Sequence, residues 1–235
     1  PVFKKVNGTD GQVWSLNPAG GELVMGHHEG SFLLSASNSR ILSSEPGAWT
    51  FVTMSDEYML GGTYTGLVLY RKEKGQWVFD RKLDGLKESC RIMVKDEDQS
   101  IWISHPYRGV YNVRWNAGNK DKIDIRFFNQ ENGLPTNLNN YVFQIAGKAV
   151  FENEKGVFHF DRSKDTFVPD DDFNRLLDKQ HRVRYLREDT KGNVWYVTDH
   201  EAGMLIVNDF GLKKEVRKKV IPELAGKLVG GFEFL

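Results

Sequence analysis

Two short runs, His27-His28-Glu29 and Asp199-His200-Glu201, set imidazoles beside carboxylates. Those groups move protons and ligate cations near neutral pH. His105, Tyr107 and Arg108 form a third polar cluster, and Tyr64 stands in a fourth segment of the same kind. Four of the six histidines lie in these places. Three chemistries would use them. A metal site needs three or four ligands converging on one point. Neighbouring residues of a tight turn seldom aim together, and the sequence has neither a His-x-x-x-His spacing nor a second cysteine; no metal is expected. A glycoside hydrolase or lyase is the second. Hydrolysis uses two carboxylates about 5 to 9 Å apart across the sugar, and Glu29, Glu154, Asp199 and Glu201 are the candidates. A one-dimensional sequence does not show whether they converge. The third is a binding face, with Arg and Asp on hydroxyl groups and Tyr or Trp on apolar sugar faces. A solvated rim would tolerate the same residues. No nucleophile elbow, phosphate loop or dinucleotide fingerprint is present, so no catalytic residue and no cofactor are expected.

What must position these residues is a repeat. Each run follows a short apolar strand and ends on a glycine that opens another: Gly30, Gly66, Gly109, Gly156 and Gly203, at intervals of 36, 43, 47 and 47 residues. Self-similarity at this period marks a radial β-repeat whose units bury their faces by stacking. The expectation is an all-β fold, a β-propeller of four-stranded antiparallel blades with about five blades in one domain, 1–235. The blades fall at 7–46, 47–86, 87–135, 136–180 and 181–224. Within the third, strands are expected over 90–95, 100–104, 109–115 and 122–128, bounded by Gly, Asp, Asn or Pro. The closing glycines supply backbone freedom at the turns. Trp102 and Trp195 fill the wedge between sheets, and Met25, Leu60, Ile103, Phe151 and Tyr196 belong to the core. The turns that carry His, Tyr and Arg share one face with the long connections 129–139, 169–180 and 209–227, and long loops in compact domains are often functional. One short helix is expected within 170–179. The run from Lys213 to Lys219 reads as a charged edge strand or loop. Asp170, Asp171 and Asp172 read as a solvated turn, lacking the spacing of a calcium loop. Partial strands at 2–6 and 228–234 point to a segment of a larger, seven-bladed type of propeller; a closed five-bladed ring with two spare strands is the alternative. The chain opens on Pro1 and reads as an excised segment.

Composition narrows the partners. Lys plus Arg and Asp plus Glu are 32 each, so no global field draws the chain to nucleic acid or an anionic membrane. No apolar run reaches the 18 or so residues of a membrane span. The lone Cys90 excludes an internal disulfide and reads as a buried small residue.

The stretch from Arg187 to Thr198, with Asp189, Gly192 and Trp195 in order and Gly203-Met204-Leu205 after it, resembles the short repeat of two-component regulator propellers. Gly62-Thr63 with Gly66-Leu67 matches the second half of that repeat, and Ile101-Trp102-Ile103 its tryptophan strand. The segment from Phe127 to Asn137 resembles its connector, and Asp84-Gly85-Leu86 is a weaker copy. Val24 and Val150 replace the tryptophan in the first and fourth repeats. The resemblance implies a periplasmic, non-catalytic sensor region of a bacterial hybrid histidine kinase or membrane-bound helix-turn-helix regulator, a family of which many members respond to glycan fragments. It implies as partners a small glycan, further blades or a second propeller of the parent protein, and a second copy in a homodimer. No kinase, receiver or helix-turn-helix pattern lies in this chain. A propeller enzyme and a plain protein-interaction platform remain the alternatives.

Overall fold

The computed structural model describes residues 4–105, 107–119, 122–177, 182–209 and 214–224. Within them, twenty strands form five four-stranded antiparallel sheets, each built from strands in chain order. The first sheet comprises β1 (Val13–Ala19), β2 (Glu22–His27), β3 (Gly30–Leu34) and β4 (Ser39–Ser43). The second comprises β5 (Thr50–Thr53), β6 (Tyr58–Thr63), β7 (Gly66–Glu73) and β8 (Gln76–Leu83). In the third run β9 (Ile92–Lys95), β10 (Ile101–His105), β11 (Gly109–Trp115) and β12 (Ile123–Phe128). The fourth holds β13 (Tyr141–Ile145), β14 (Lys148–Asn153), β15 (Gly156–Asp161) and β16 (Thr166–Pro169). The fifth holds β17 (Val183–Glu188), β18 (Val194–Thr198), β19 (Ala202–Asp209) and β20 (Lys214–Val220). The charged run ending at Lys219 is thus strand, paired to β19.

Three local expectations are revised. Asp170 is the N-cap of a helix, α1 (Asp171–Leu176), its carboxylate accepting the N–H of Phe173 at 3.1 Å with Asp171 and Asp172 in the first turn. The acidic run therefore starts a helix, where carboxylates meet the orphan amides and the positive dipole end. Residues 4–6 form no strand; Asn7 instead bridges Asn38 in parallel. The rest of the partial strand at 2–6, and all of that at 228–234, lie outside the described residues. The third revision concerns Gly203, which is the second residue of β19 rather than part of its turn. Thr198 opens that turn by donating its N–H to the carbonyl of Glu201. Its hydroxyl also donates to that carbonyl, as the Thr63 hydroxyl does to Gly66. Glu201 thus holds the place that glycine holds in the second sheet.

Among the described residues, four of the turns share one capping device. The last side chain of the second strand accepts the N–H two residues on: His27 Nδ1 from Glu29 at 3.1 Å, Thr63 Oγ1 from Thr65 at 3.2 Å, Asn153 Oδ1 from Lys155 at 2.9 Å and Thr198 Oγ1 from His200 at 3.2 Å. Such side-chain acceptors replace a backbone turn bond.

The chain divides into two compact units, and the division cuts through the third sheet. Residues 1–93, 99–105 and 111–126 form the first, 94–98, 106–110 and 127–235 the second. In the first, Leu60, Leu67, Leu69, Ile101, Ile103 and Val113 make one core, and Val24, Met59, Tyr70 and Trp77 another. In the second, Val150, Val157, Leu186, Val194, Tyr196 and Leu205 make the core. Met25, Leu60, Ile103, Phe151 and Tyr196 are all buried, as is Trp102; Trp195 is half-buried, its indole N–H donating to Asp189 Oδ2 at 3.1 Å. Cys90 is buried, and burial, with Glu88 beside it, pushes its thiol up to about 12.

In the second unit Arg162 fixes the turn 96–98, reaching Asp96 at 2.6 Å, Asp98 at 3.1 Å and Glu97 at 3.3 Å. Asp96 is itself buried and accepts the N–H groups of Glu97 and Ala149. A planar guanidinium serves several carboxylates at once where an ammonium serves them as a point charge. Arg162→Ala is expected to cost about 1–3 kcal/mol by leaving Asp96 under-compensated, read by chemical denaturation, with Arg162→Lys recovering part of the loss. Equal stability of the Ala and Lys variants would show that the fork geometry is irrelevant.

Candidate functional site

In the first unit the described turns bring His28 and Tyr64 together: His28 Nδ1 lies 2.9 Å from the Tyr64 hydroxyl and the rings meet edge-on at 5.7 Å. Gly47, at φ +72°, holds its backbone under the Tyr64 ring, where a Cβ would collide with the ring carbons. Tyr64 in turn meets Trp49 edge-on at 5.9 Å, and Trp49 stacks on Trp14 at 4.0 Å and 26°. Trp14 stands at the bulge between Val13 and Ser15, and Trp49 is anchored by its backbone N–H, which donates to the Gly62 carbonyl at 2.8 Å. The Arg91 guanidinium lies 4.7 Å from the Trp49 ring centre, a cation–π distance. Both indole N–H groups are buried and donate to nothing in the structure, two donors whose desolvation is uncompensated.

The other residues singled out in the sequence fall differently. His27 is buried, with Nδ1 taken by the Glu29 N–H and Nε2 3.1 Å from the Asp10 carbonyl. Both ring nitrogens are therefore engaged in holding the fold. Glu29 is exposed, and His105 Nε2 lies 3.6 Å from Glu88 Oε2. In the second unit Tyr107 and Arg108 are exposed on the turn before β11, and Asp199 and His200 at the tip of the turn before β19. Glu201 points inward. It accepts the Tyr196 hydroxyl at 3.0 Å and pairs with the Lys218 ammonium; burial, and then Glu201, raise the Tyr196 hydroxyl above its ordinary value. Glu154 pairs with Lys155 at 3.6 Å.

The most perturbed carboxylate is one that sequence reasoning missed. Glu152 is fully buried in β14, next to the turn cap Asn153. Counted from the cap, it takes the place of Gly26 and Gly62 in the first two sheets and of Val197 in the fifth. At Gly26 and Gly62 a Cβ would strike the carbonyls of Ala48 and Cys90. In the fourth sheet the equivalent space holds a carboxyl group, and Arg182, 3.6 Å from Oε1, stacked on Tyr141 at 5.3 Å. Burial pushes Glu152 up to about 8; Arg182 opposes the rise and Asp199 adds to it. Neither carboxylate oxygen has a hydrogen-bond partner in the structure. Its signal in the sequence is Asn153: a turn cap counted back from Gly156 puts an acid where the first two repeats have glycine. Trp14, Trp49 and Arg91 were missed because each precedes or opens an inner strand, and their meeting is not local in sequence.

No family model matches this sequence, and no curated protein does. Solved structures do. One, described as the extracellular domain of the hybrid two component system BT4673 of Bacteroides thetaiotaomicron, aligns with a TM-score of 0.63 at 16% identity, over 91% of this chain and 28% of its own. A second, the corresponding domain of BT3049 from the same organism, gives 0.58 at 13% identity, over 92% and 30%. PorZ, a surface component of the type-IX secretion system of Porphyromonas gingivalis, gives 0.55 at 12%, over 86% and 33%. The five sheets are β-propeller blades. At these identities the likeness is one of fold, and the chain spans about a third or less of each of these structures. Trp49, Tyr64 and His28 then lie at the ends of blade strands, where loops on a rigid scaffold carry binding residues.

Proposed function

We propose that this chain is the ligand-binding part of an extracytoplasmic sensor, and that the cluster of Trp14, Trp49, Tyr64, His28 and Arg91 takes a glycan fragment without turning it over. The observation that carries the reading is the run of touching aromatic rings, Trp14, Trp49 and Tyr64, flanked by the exposed imidazole of His28 and the exposed guanidinium of Arg91. Aromatic rings match the C–H faces of a sugar, and the imidazole and guanidinium groups match its hydroxyls. The likeness to extracellular domains of two-component systems supports the sensor class and the extracytoplasmic location. Its non-catalytic character is supported by the pairing of Glu201 with Lys218 and Tyr196, which removes one of the carboxylates that hydrolysis would use.

Titration calorimetry against a panel of neutral and acidic oligosaccharides tests this. Saturable heat from at least one of them is expected, with Trp49→Ala weakening that affinity by about 10- to 100-fold, the equivalent of losing 1–3 kcal/mol of stacking and hydrogen bonding. Silence across the panel would overturn the glycan reading. Appearance of cleaved sugar, lost in Glu29→Gln, would replace the sensor by an enzyme.

A further inference from the structure

The first two blades and the last two repeat one interface, and comparing them exposes a gap. In the first unit Met59, Tyr70 and Trp77 of the second blade pack against Val24, with Leu33 beside it. Trp77 is fully buried and its indole N–H donates to the Ala19 carbonyl at 3.0 Å. Blade five aligns with blade two through the turn caps Thr63 and Thr198. Met59 pairs Tyr70 across the strands as Val194 pairs Leu205, and Lys72 pairs Trp77 as Val207 pairs Val216. Val194, Leu205 and Val216 therefore stand where Met59, Tyr70 and Trp77 stand. On the opposing wall Val24 and Leu33 become Val150 and His159, paired in the same way.

Replacing a thioether, a phenol and an indole by three small aliphatic groups leaves space unless the walls collapse. Here they do not. A cavity of about 420 Å³ is lined by Val150, His159, Val194, Leu205 and Val216, with Phe173 and Leu176 of α1 along it. That size is within the range of small-molecule pockets, and cavities with apolar walls accept apolar guests. Its lining is acidic: Asp96, Glu97, Asp170, Asp172 and Glu188 stand against Lys148 and Arg162, and with the Arg175 that pairs with Asp172 at 2.9 Å the balance is five carboxylates to three cations, or −2 with His159 counted as neutral. Several of these acids are engaged within the protein, yet their summed field still favours a positive guest.

We propose that this cavity binds a planar aromatic ligand of about indole size carrying a positive charge, at a site separate from the glycan-binding cluster. The blade-two side chains supply the template: an indole fills the same wedge there, with a lysine ammonium, that of Lys72, 5.2 Å from its ring centre.

Methyl NMR on the intact chain, titrated with tryptamine, indole and indole-3-acetate, tests it. Saturable shifts of the Val150, Val194, Leu205 and Val216 methyls are expected, with tryptamine about tenfold tighter than indole-3-acetate because only the former complements the acidic lining. Val216→Trp, which fills the wedge from within, is expected to abolish the shifts; should it fail to fold, Leu205→Phe serves the same end. Absence of methyl shifts at the solubility limit, or undiminished binding in a folded filled variant, would overturn the site. Equal affinities for the three probes would overturn the charge preference. Shifts confined to the surroundings of Trp49 would assign the probe to the glycan-binding cluster and overturn the proposal equally.

Discussion

Replacing Glu152 by Gln is expected to abolish most of the stability loss that this chain shows between about pH 5 and pH 9. The carboxyl group is fully buried, and burial holds its proton up to about pH 8, against 4.5 for an ordinary glutamate. Between those values the folded chain binds more protons than the unfolded one, so stability falls as pH rises. The stabilising contribution is complete below about pH 4.5 and is lost as pH passes through 8. Arg182 at 3.6 Å offsets only part of the cost of a buried charge. The swing is on the order of 4 kcal/mol, enough to move the melting temperature of a chain this size by about 8–16 °C. Glu152→Gln keeps the shape and cannot ionise, so its melting temperature should stay nearly level across the same window. Parallel pH profiles for the two proteins would show that Glu152 is not the titrating group.

Gly66→Ala should be among the most damaging single methyls in the first unit. Gly66 sits at φ +120°, a backbone conformation that side chains resist, and a Cβ there would collide with the carbonyl oxygen of Leu86. Neither party can step aside, because the Thr63 hydroxyl donates to the Gly66 carbonyl and Leu86 is core. The expected cost is about 3–5 kcal/mol, the sum of strain and steric displacement. Gly75 is the control. It too has positive φ, at +82°, but a Cβ there meets nothing within 4 Å, so its Ala variant should lose only about 1 kcal/mol. Similar losses at both positions would mean that backbone conformation alone, without the carbonyl contact, accounts for the cost.

These two residues mark what was legible in the sequence. Blades are readable because each is set by local chemistry: short β-branched and aromatic runs, Asp at one hairpin, glycine at the next. Gly66 announced itself that way. Gly203 misled, because a glycine two residues downstream of the true turn imitates the signal, and only the paired hydroxyls of Thr63 and Thr198 show that Glu201 holds the place. His27 looked like a ligand-binding histidine because histidine is an uncommon turn cap, although its ring does what Thr63 and Asn153 do elsewhere. Glu152 hid inside an apolar strand, where its neighbours Phe151 and Val150 argue for nothing but core. The Trp14–Trp49 stack joins inner strands of different blades, and the cavity at Val216 exists only as a difference between interfaces. Neither is a property of any window of residues.

The turn cap carries a practical consequence. His27, Thr63, Asn153 and Thr198 hold their hairpins from the strand side, so each cap acts without help from the side chains at the tip. The dipeptide Glu154-Lys155, whose described ion pair is with itself, is then the place where new side chains could be tried while the cap beneath stays as it is.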